Sequence, residues 1–189
     1  MSDVVAIDLL RHGDTGCPGF RGQLDDVLTD AGREQMREAV AGRRWDAIVS
    51  SPLARCVAFA RWKAGLDGVP LHVDPRLMEF HFGEWQSMSM EALAVAHGDA
   101  LGRFWADPET HPPPGGETVP AFRARLTAAL DAIARAHAGE AVLVVTHGGA
   151  IRLLRCLAEG RPASQMAMVN VPHASLHRLD WPCASGSGA

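Results

Sequence analysis

Lysine is almost missing from the chain: of 18 basic side chains only Lys63 is a lysine, and the rest are arginines. A Schiff-base mechanism, or a phosphate loop built on Gly-Lys-Ser/Thr, would have to use that residue. Its surroundings, Arg61-Trp62-Lys63-Ala64-Gly65, suit neither. Any anion must therefore be held by arginine, whose rigid fork of donors matches phosphate. Cysteine is sparse as well. Cys17, Cys56, Cys156 and Cys183 lie far apart with no Cys-x-x-Cys pair, so they read as reduced thiols rather than a disulfide framework. No apolar run approaches the length of a membrane span, and Met1-Ser2-Asp3 lacks the basic start of an export signal. Charge is dispersed, and 18 basic against 22 acidic residues give a net charge of -4, without the basic footprint of a nucleic-acid binder. The expectation is a soluble cytoplasmic protein with no membrane or nucleic-acid partner.

What the chain does have is enough apolar material, 47% of 189 residues, for one substantial core. Residues 1–183 read as a single domain and the Ala-Ser-Gly-Ser-Gly-Ala end, 184–189, as a flexible tail. Strand-like and helix-like segments alternate, which predicts an α/β fold of three layers, α/β/α, around a mostly parallel central sheet. Strands are expected at 4–10, 47–49, 71–73, 141–145 and, at the sheet edge, 175–179. Thr29 is placed to cap a helix that stops near Gly42, and Thr118 to cap one running to about Ala136. Ser51-Pro52 reads as the cap and first residue of another helix, and a further helix is expected at 150–157. Between about 79 and 118 the pattern changes to a Met- and Trp-containing insertion ending in His111-Pro112-Pro113-Pro114-Gly115-Gly116, expected to be small, helical and set over the active site.

Two predicted strands end alike. The first runs into Arg11-His12-Gly13, and the strand at 141–145 into Thr146-His147-Gly148-Gly149 and then a helix. In open α/β sheets ligands bind beyond the carboxyl ends of strands, so both imidazoles belong to one place. A helix opening at Gly148-Gly149 aims backbone N–H groups and a positive dipole end at the same spot, which favours phosphate. The His-Gly pairs lack the spacing of zinc enzymes, and no metal ligand set is assigned.

These residues resemble the histidine phosphatase superfamily, the phosphoglycerate mutase-like family. Leu10-Arg11-His12-Gly13-Asp14-Thr15 is similar to its signature, Ser50-Ser51-Pro52-Leu53-Ala54-Arg55 to its second motif, Glu79 with Phe82-Gly83-Glu84-Trp85 to its third, and Val145-Thr146-His147-Gly148-Gly149 to its fourth. Within the family the alpha-ribazole phosphatase branch is most similar, through Gly22-Gln23-Leu24-Asp25-Asp26-Val27-Leu28-Thr29, Phe104-Trp105-Ala106-Asp107-Pro108 and Pro114-Gly115-Gly116-Glu117-Thr118. The resemblance implies a phosphomonoesterase of a small metabolite, with alpha-ribazole 5'-phosphate of cobalamin biosynthesis as the leading substrate and no cofactor. Oligomeric state is left open, a homodimer included.

By resemblance His12 is the nucleophile and forms a phosphohistidine that water hydrolyses. To attack phosphorus it must be neutral, and Arg11 and Arg55 nearby disfavour its charged form. Its other ring nitrogen then needs an acceptor, expected to be a backbone carbonyl. Arg11, Arg55 and His147, with the Gly148 amide and Arg21, are expected to bind the phosphoryl oxygens. Glu79 is expected to start protonated, to give its proton to the leaving alkoxide and to take one back from water. Departures from the family pattern lie at Arg21, whose stretch lacks the usual asparagine, and at His81, where many relatives have aspartate.

Two rivals were weighed. A mutase passing phosphate between hydroxyls would need a longer insertion and tail to exclude water. A non-catalytic phospho-ligand module would have lost the nucleophile or the acid, yet both are present.

Overall fold

The computed structural model describes residues 4–182. The tail expected at 184–189, and Cys183, lie outside them. Five strands form one sheet in the order β3-β2-β4-β1-β5. β1 (Val4–Arg11), β4 (Val142–Thr146), β2 (Ala47–Ser50) and β3 (Leu71–Val73) are parallel neighbours, and β5 (Leu176–Pro182) lies antiparallel on β1. β4 is buried along its whole length, as its unbroken Val-Leu-Val-Val run requires of a strand covered on both faces.

β1 sends Val5, Ile7 and Leu9 into one apolar cluster and Leu10 into the other, following the period of two. On the first face lie α4 (Val119–Ala136) and α5 (Gly148–Ala158), with Phe122, Leu126, Leu130, Ile151 and Leu154 buried. On the second lie α1 (Asp30–Ala39) and α2 (Ala54–Asp67), through Met36, Phe59 and Ala60. The fold is thus the expected three layers. Phe122 is fully buried, and truncating such a ring to Ala costs about 3–5 kcal/mol.

Both threonine caps are present: Thr29 Oγ1 accepts from Gly32 N at 2.9 Å and Thr118 Oγ1 from Ala121 N at 3.3 Å. The serine cap is not. α2 begins at Ala54, Leu53 is its N-cap residue, and the Ala54 amide donates to Asp25 Oδ1 at 2.6 Å. Ser51, relieved of capping, is fully buried and turns elsewhere. α5 starts at Gly148, so the helix that follows His147 opens at the glycine pair and takes in the segment 150–157. The insertion is built around α3 (Met90–Ala106), capped by Ser89 and kinked at His97, with Leu93, Leu101 and Phe104 in the first cluster.

Candidate active site

Strand register sets the floor of the site. Arg11 of β1 pairs with Thr146 of β4, and Val145 pairs with Ser50 of β2, so the next residues, His12, His147 and Ser51, come out side by side. The His12 and His147 rings are 5.3 Å apart. On the far side of β1, antiparallel β5 enters from the same edge, and its leading loop bonds to the end of β1 and to His12: Arg11 N donates to Ser175 O at 3.1 Å and Ala174 N to His12 O at 3.2 Å. That loop puts His173 on the other flank of His12, ring centroids 5.7 Å apart. Four residues therefore stand in a row across the sheet's end: Ser51, His147, His12 and His173.

His12 Nδ1 lies 2.8 Å from the Gly13 carbonyl, so Nδ1 carries the proton and donates, leaving Nε2 bare for attack. This is the carbonyl acceptor expected from the sequence. Burial, with Arg55 and Arg11 acting in the same direction, draws the His12 pKa down to about 3 against the opposing Gly13 bond. The ring is neutral throughout the physiological range.

Arg55 is 1% exposed and is held without a carboxylate. Its Nη2 donates to Gly22 O at 2.6 Å, its Nη1 to Leu24 O at 2.5 Å, and its Nε to His147 Nδ1 at 3.3 Å. Arg11 is similar: Nη1 donates to Val171 O at 2.6 Å, while Nε is buried with no partner. Guanidinium groups fixed by backbone carbonyls keep their charge for a ligand.

His147 differs from expectation. It is fully buried, its Nε2 lies 2.8 Å from Ser51 Oγ, and its Nδ1 receives Arg55. Both ring nitrogens are taken, so in this conformation it orients Arg55 and does not face the cavity. Burial first, then Arg55, hold its pKa well below the usual imidazole range.

Glu79 is bonded to the backbone. Its Oε1 accepts from Phe80 N and its Oε2 from Gly149 N, each at 2.9 Å. Both oxygens act as acceptors from backbone amides. The same contact occupies the Gly149 amide at the α5 N-terminus. The backbone of Glu79 is clamped by Arg125, which donates to Glu79 O at 2.9 Å and Met78 O at 2.6 Å and pairs with Glu117 at 2.7 Å. Gln23 Nε2 adds a bond to Glu79 O at 3.1 Å. His81 turns its Nδ1 back to Gly83 N at 3.2 Å and stays out of the cavity.

Arg11, His12, Arg55, Glu79, Gly148 and Arg21 line a single cavity of about 600 Å³, a size suited to a small organic ligand. Arg21 is committed to Asp26 by two bonds of 2.7 and 2.8 Å, so its charge is compensated where it stands. Arg152 was not anticipated. It lies one turn after Gly148 in α5, lines the cavity, donates to Val169 O at 3.1 Å and forms no salt bridge among the described residues. In the lining of the same cavity, Phe20 stacks on Phe82 at 4.2 Å, and Trp105 lies 6.2 Å from Phe20. Of the insertion's large apolar residues, Phe104 and Trp105 line the cavity, Trp85 is core, Met88 packs against the core, and Met90 is exposed. Among the described residues no group of three or more His, Cys, Asp or Glu could hold a metal ion, Cys17, Cys56 and Cys156 are free thiols, and no helix is long and apolar enough to cross a membrane.

An imidazole with one bare nitrogen, two arginines without carboxylate partners and one carboxylate make a site for phosphoryl transfer, where positioning and charge stabilisation do most of the work. The profile of the histidine phosphatase superfamily (branch 1) matches residues 7–185. The glucosyl-3-phosphoglycerate phosphatase of Mycolicibacterium vanbaalenii is 33% identical over 195 residues, covering 95% of this chain and 79% of that protein. A mycobacterial glucosyl-3-phosphoglycerate phosphatase solved with VO3 superposes with a TM-score of 0.80 at 29% identity, over 92% of this chain and 90% of that one. The alpha-ribazole phosphatase of Shigella flexneri gives a TM-score of 0.80 at 24% identity, over 92% and 89%, a likeness of fold. The chain belongs to the histidine phosphatase superfamily, branch 1, and is a phosphomonoester hydrolase.

Proposed function

We propose that the chain hydrolyses a small phosphomonoester through a phosphohistidine at His12, and that the leaving alcohol carries a flat apolar ring, alpha-ribazole 5'-phosphate being the leading substrate. The observation that supports this reading is that Phe20, Phe82 and Trp105 line the same cavity as His12, Arg11 and Arg55. A ring held on those aromatic side chains leaves its phosphate to the cations.

In the first half-reaction the bare Nε2 of His12 attacks phosphorus, the new P–N bond forms as the P–O bond to the alcohol breaks, and the alcohol oxygen takes the proton of Glu79. In the second, water attacks phosphorus, Glu79 takes its proton, the P–N bond breaks, and His12 regains its lone pair. Arg11 and Arg55 hold the non-bridging oxygens, and His147 keeps Arg55 in place. Acid-base help like that of Glu79 is worth about 10²- to 10⁴-fold.

Arg152 favours a second reading, in which the substrate bears another anion beside the phosphate, as a glucosyl-3-phosphoglycerate does. Phosphate release from alpha-ribazole 5'-phosphate, glucosyl-3-phosphoglycerate, phosphoserine and 3-phosphoglycerate, compared as kcat/KM, tests both. Preference for the first, with KM raised by Trp105→Ala, supports the ring reading. Preference for the carboxylated esters, lost in Arg152→Met, replaces it. Isomerisation of phosphoglycerate with little phosphate release would make the protein a mutase. No turnover and no acid-labile, base-stable phosphoryl adduct would leave a binding module.

A further inference from the structure

His173 has no part in the scheme above, yet it stands beside the nucleophile. It lines the cavity, its ring lies 5.7 Å from that of His12, and its Nδ1 is 4.0 Å from Asp14 Oδ1. With Nδ1 toward Asp14, Nε2 on the opposite edge of the ring is left for a ligand. The turn that presents it is strained. Ala174 sits at φ 56, in the left-handed region that costs an L-residue about 1–2 kcal/mol. Three backbone bonds hold it there: Ala174 N to His12 O at 3.2 Å, Ser175 N to Pro172 O at 3.1 Å, and Arg11 N to Ser175 O at 3.1 Å. Two of these tie the turn to the two residues that begin the active-site motif. Strain kept in register with a nucleophile motivates a functional reading.

We propose that His173 is a phosphate-binding residue, its Nε2 holding a non-bridging oxygen of the group on His12 while Asp14 backs its Nδ1, and that it takes up a proton as the dianion enters. This rests on the phosphohistidine reading for the identity of the bound group. Position decides the role. His173 flanks His12, so it reaches an oxygen beside the line of attack, not the attacking or leaving oxygen on that line.

The groups that face it are Arg11 and His12 from β1 and Asp14 from the loop that follows. Burial first, and then Arg11, draw the His173 pKa below the usual value, while Asp14 pulls it up. In the free protein the ring is therefore neutral near pH 7, and, with Nδ1 toward Asp14, the lone pair is on Nε2 of a ring that lines the cavity. A dianion reverses the balance. Protonation turns Nε2 into a charged donor and gives Nδ1–H an ionic partner in Asp14. Affinity for the dianion is then highest in mild acid, where the ring is already charged. It weakens as pH rises between the free and bound pKa values, by as much as tenfold per pH unit.

Sulfate is the probe, because it stays dianionic where phosphate and vanadate titrate. Its dissociation constant is measured calorimetrically over about pH 5.5 to 8 in the wild type, His173→Gln, His173→Asn and His12→Ala. The wild type and His12→Ala should show affinity falling with pH. Both His173 variants should bind about ten- to a hundredfold more weakly in mild acid, the loss of one charge-assisted bond, and should show a flatter pH dependence. Their KM for p-nitrophenyl phosphate should rise by a similar factor. An unchanged pH dependence in a folded His173 variant would overturn the proposal. The phosphoryl adduct on His12, assayed separately in the wild type, reports whether the phosphohistidine reading itself stands.

Discussion

Ser51 Oγ and His147 Nε2 lie 2.8 Å apart, both residues fully buried. Because Arg55 Nε can only donate, His147 Nδ1 must accept, and the ring proton sits on Nε2, where Ser51 receives it. The serine fixes the tautomer, the tautomer seats the arginine, and the arginine lines the cavity where we propose phosphate binds. Ser51→Ala should leave the buried His147 Nε2–H with the weak acceptor Cys56 Sγ, 3.6 Å away, costing about 1–3 kcal/mol in urea unfolding. It should also lower kcat about tenfold while the fold persists. An undiminished kcat would detach His147 from the orientation of Arg55.

The two strand-end histidines also make stability depend on pH, in a direction the structure sets. His12 has a pKa of about 3, below the unfolded value of 6.5, so the unfolded chain binds the extra proton between those limits. Its contribution is whole above about pH 6.5 and is lost as pH falls toward 3. At pH 5 the loss is at most about 2 kcal/mol, and His147 adds in the same sense. Urea midpoints from neutral to mildly acidic pH should fall for the wild type and fall less for His12→Ala. Parallel curves would show that the ring is more hydrated than its burial implies.

Two glycines at the site separate folding from catalysis. A Cβ on Gly13 would lie 2.0 Å from the backbone oxygen of Gly32, which cannot yield without moving α1. On Gly149 it would lie 2.4 Å from Glu79 Oε1, the end of a side chain that can swing away. Gly13→Ala should therefore destabilise by about 3 kcal/mol. Gly149→Ala should shift the melting midpoint little but displace Glu79 and lower kcat at least tenfold. Equal losses of stability in the two variants would mean that Glu79 is as rigidly held as backbone.

The sequence made His12, Arg11, Arg55 and Glu79 legible because each lies in a motif at the carboxyl end of a parallel strand or on the loop beyond it. The same habit concealed His173. β5 is antiparallel, so the residues that reach the active-site edge precede it, where nothing in Val-Pro-His-Ala-Ser signals a site. Ser51 was misassigned for a related reason. Ser-Pro before a helix is a sound capping signal, but the bond the serine makes is with a histidine far along the chain, and local pattern cannot show that. Arg152 had a readable signal, its position one helical turn beyond Gly148, though without the cavity nothing told it apart from a surface arginine. Glu117 lay within a motif that reads equally well as a turn and cap; its pairing with Arg125 appears only once the insertion folds back on α4.

That pairing yields the remaining prediction. Arg125 stacks over Phe122 at 4.6 Å and spreads its donors over Arg76 O, Met78 O and Glu79 O, so one guanidinium gathers three carbonyls of the loop that carries Glu79. Arg125→Met keeps the stem against Phe122 and removes the clamp. It also strands Glu117, whose side chain is only 14% exposed, at a cost of about 3–5 kcal/mol. The double variant Arg125→Met, Glu117→Gln removes that stranded charge and should recover much of the stability. It should not recover activity, because the Glu79 carbonyl then keeps its bond from Gln23 but loses the one from Arg125, and kcat should stay about ten- to a hundredfold low with KM little changed. If the double variant regained both stability and kcat, Arg125 would be a structural residue alone, and Glu79 would be placed by its own bonds to Phe80 and Gly149.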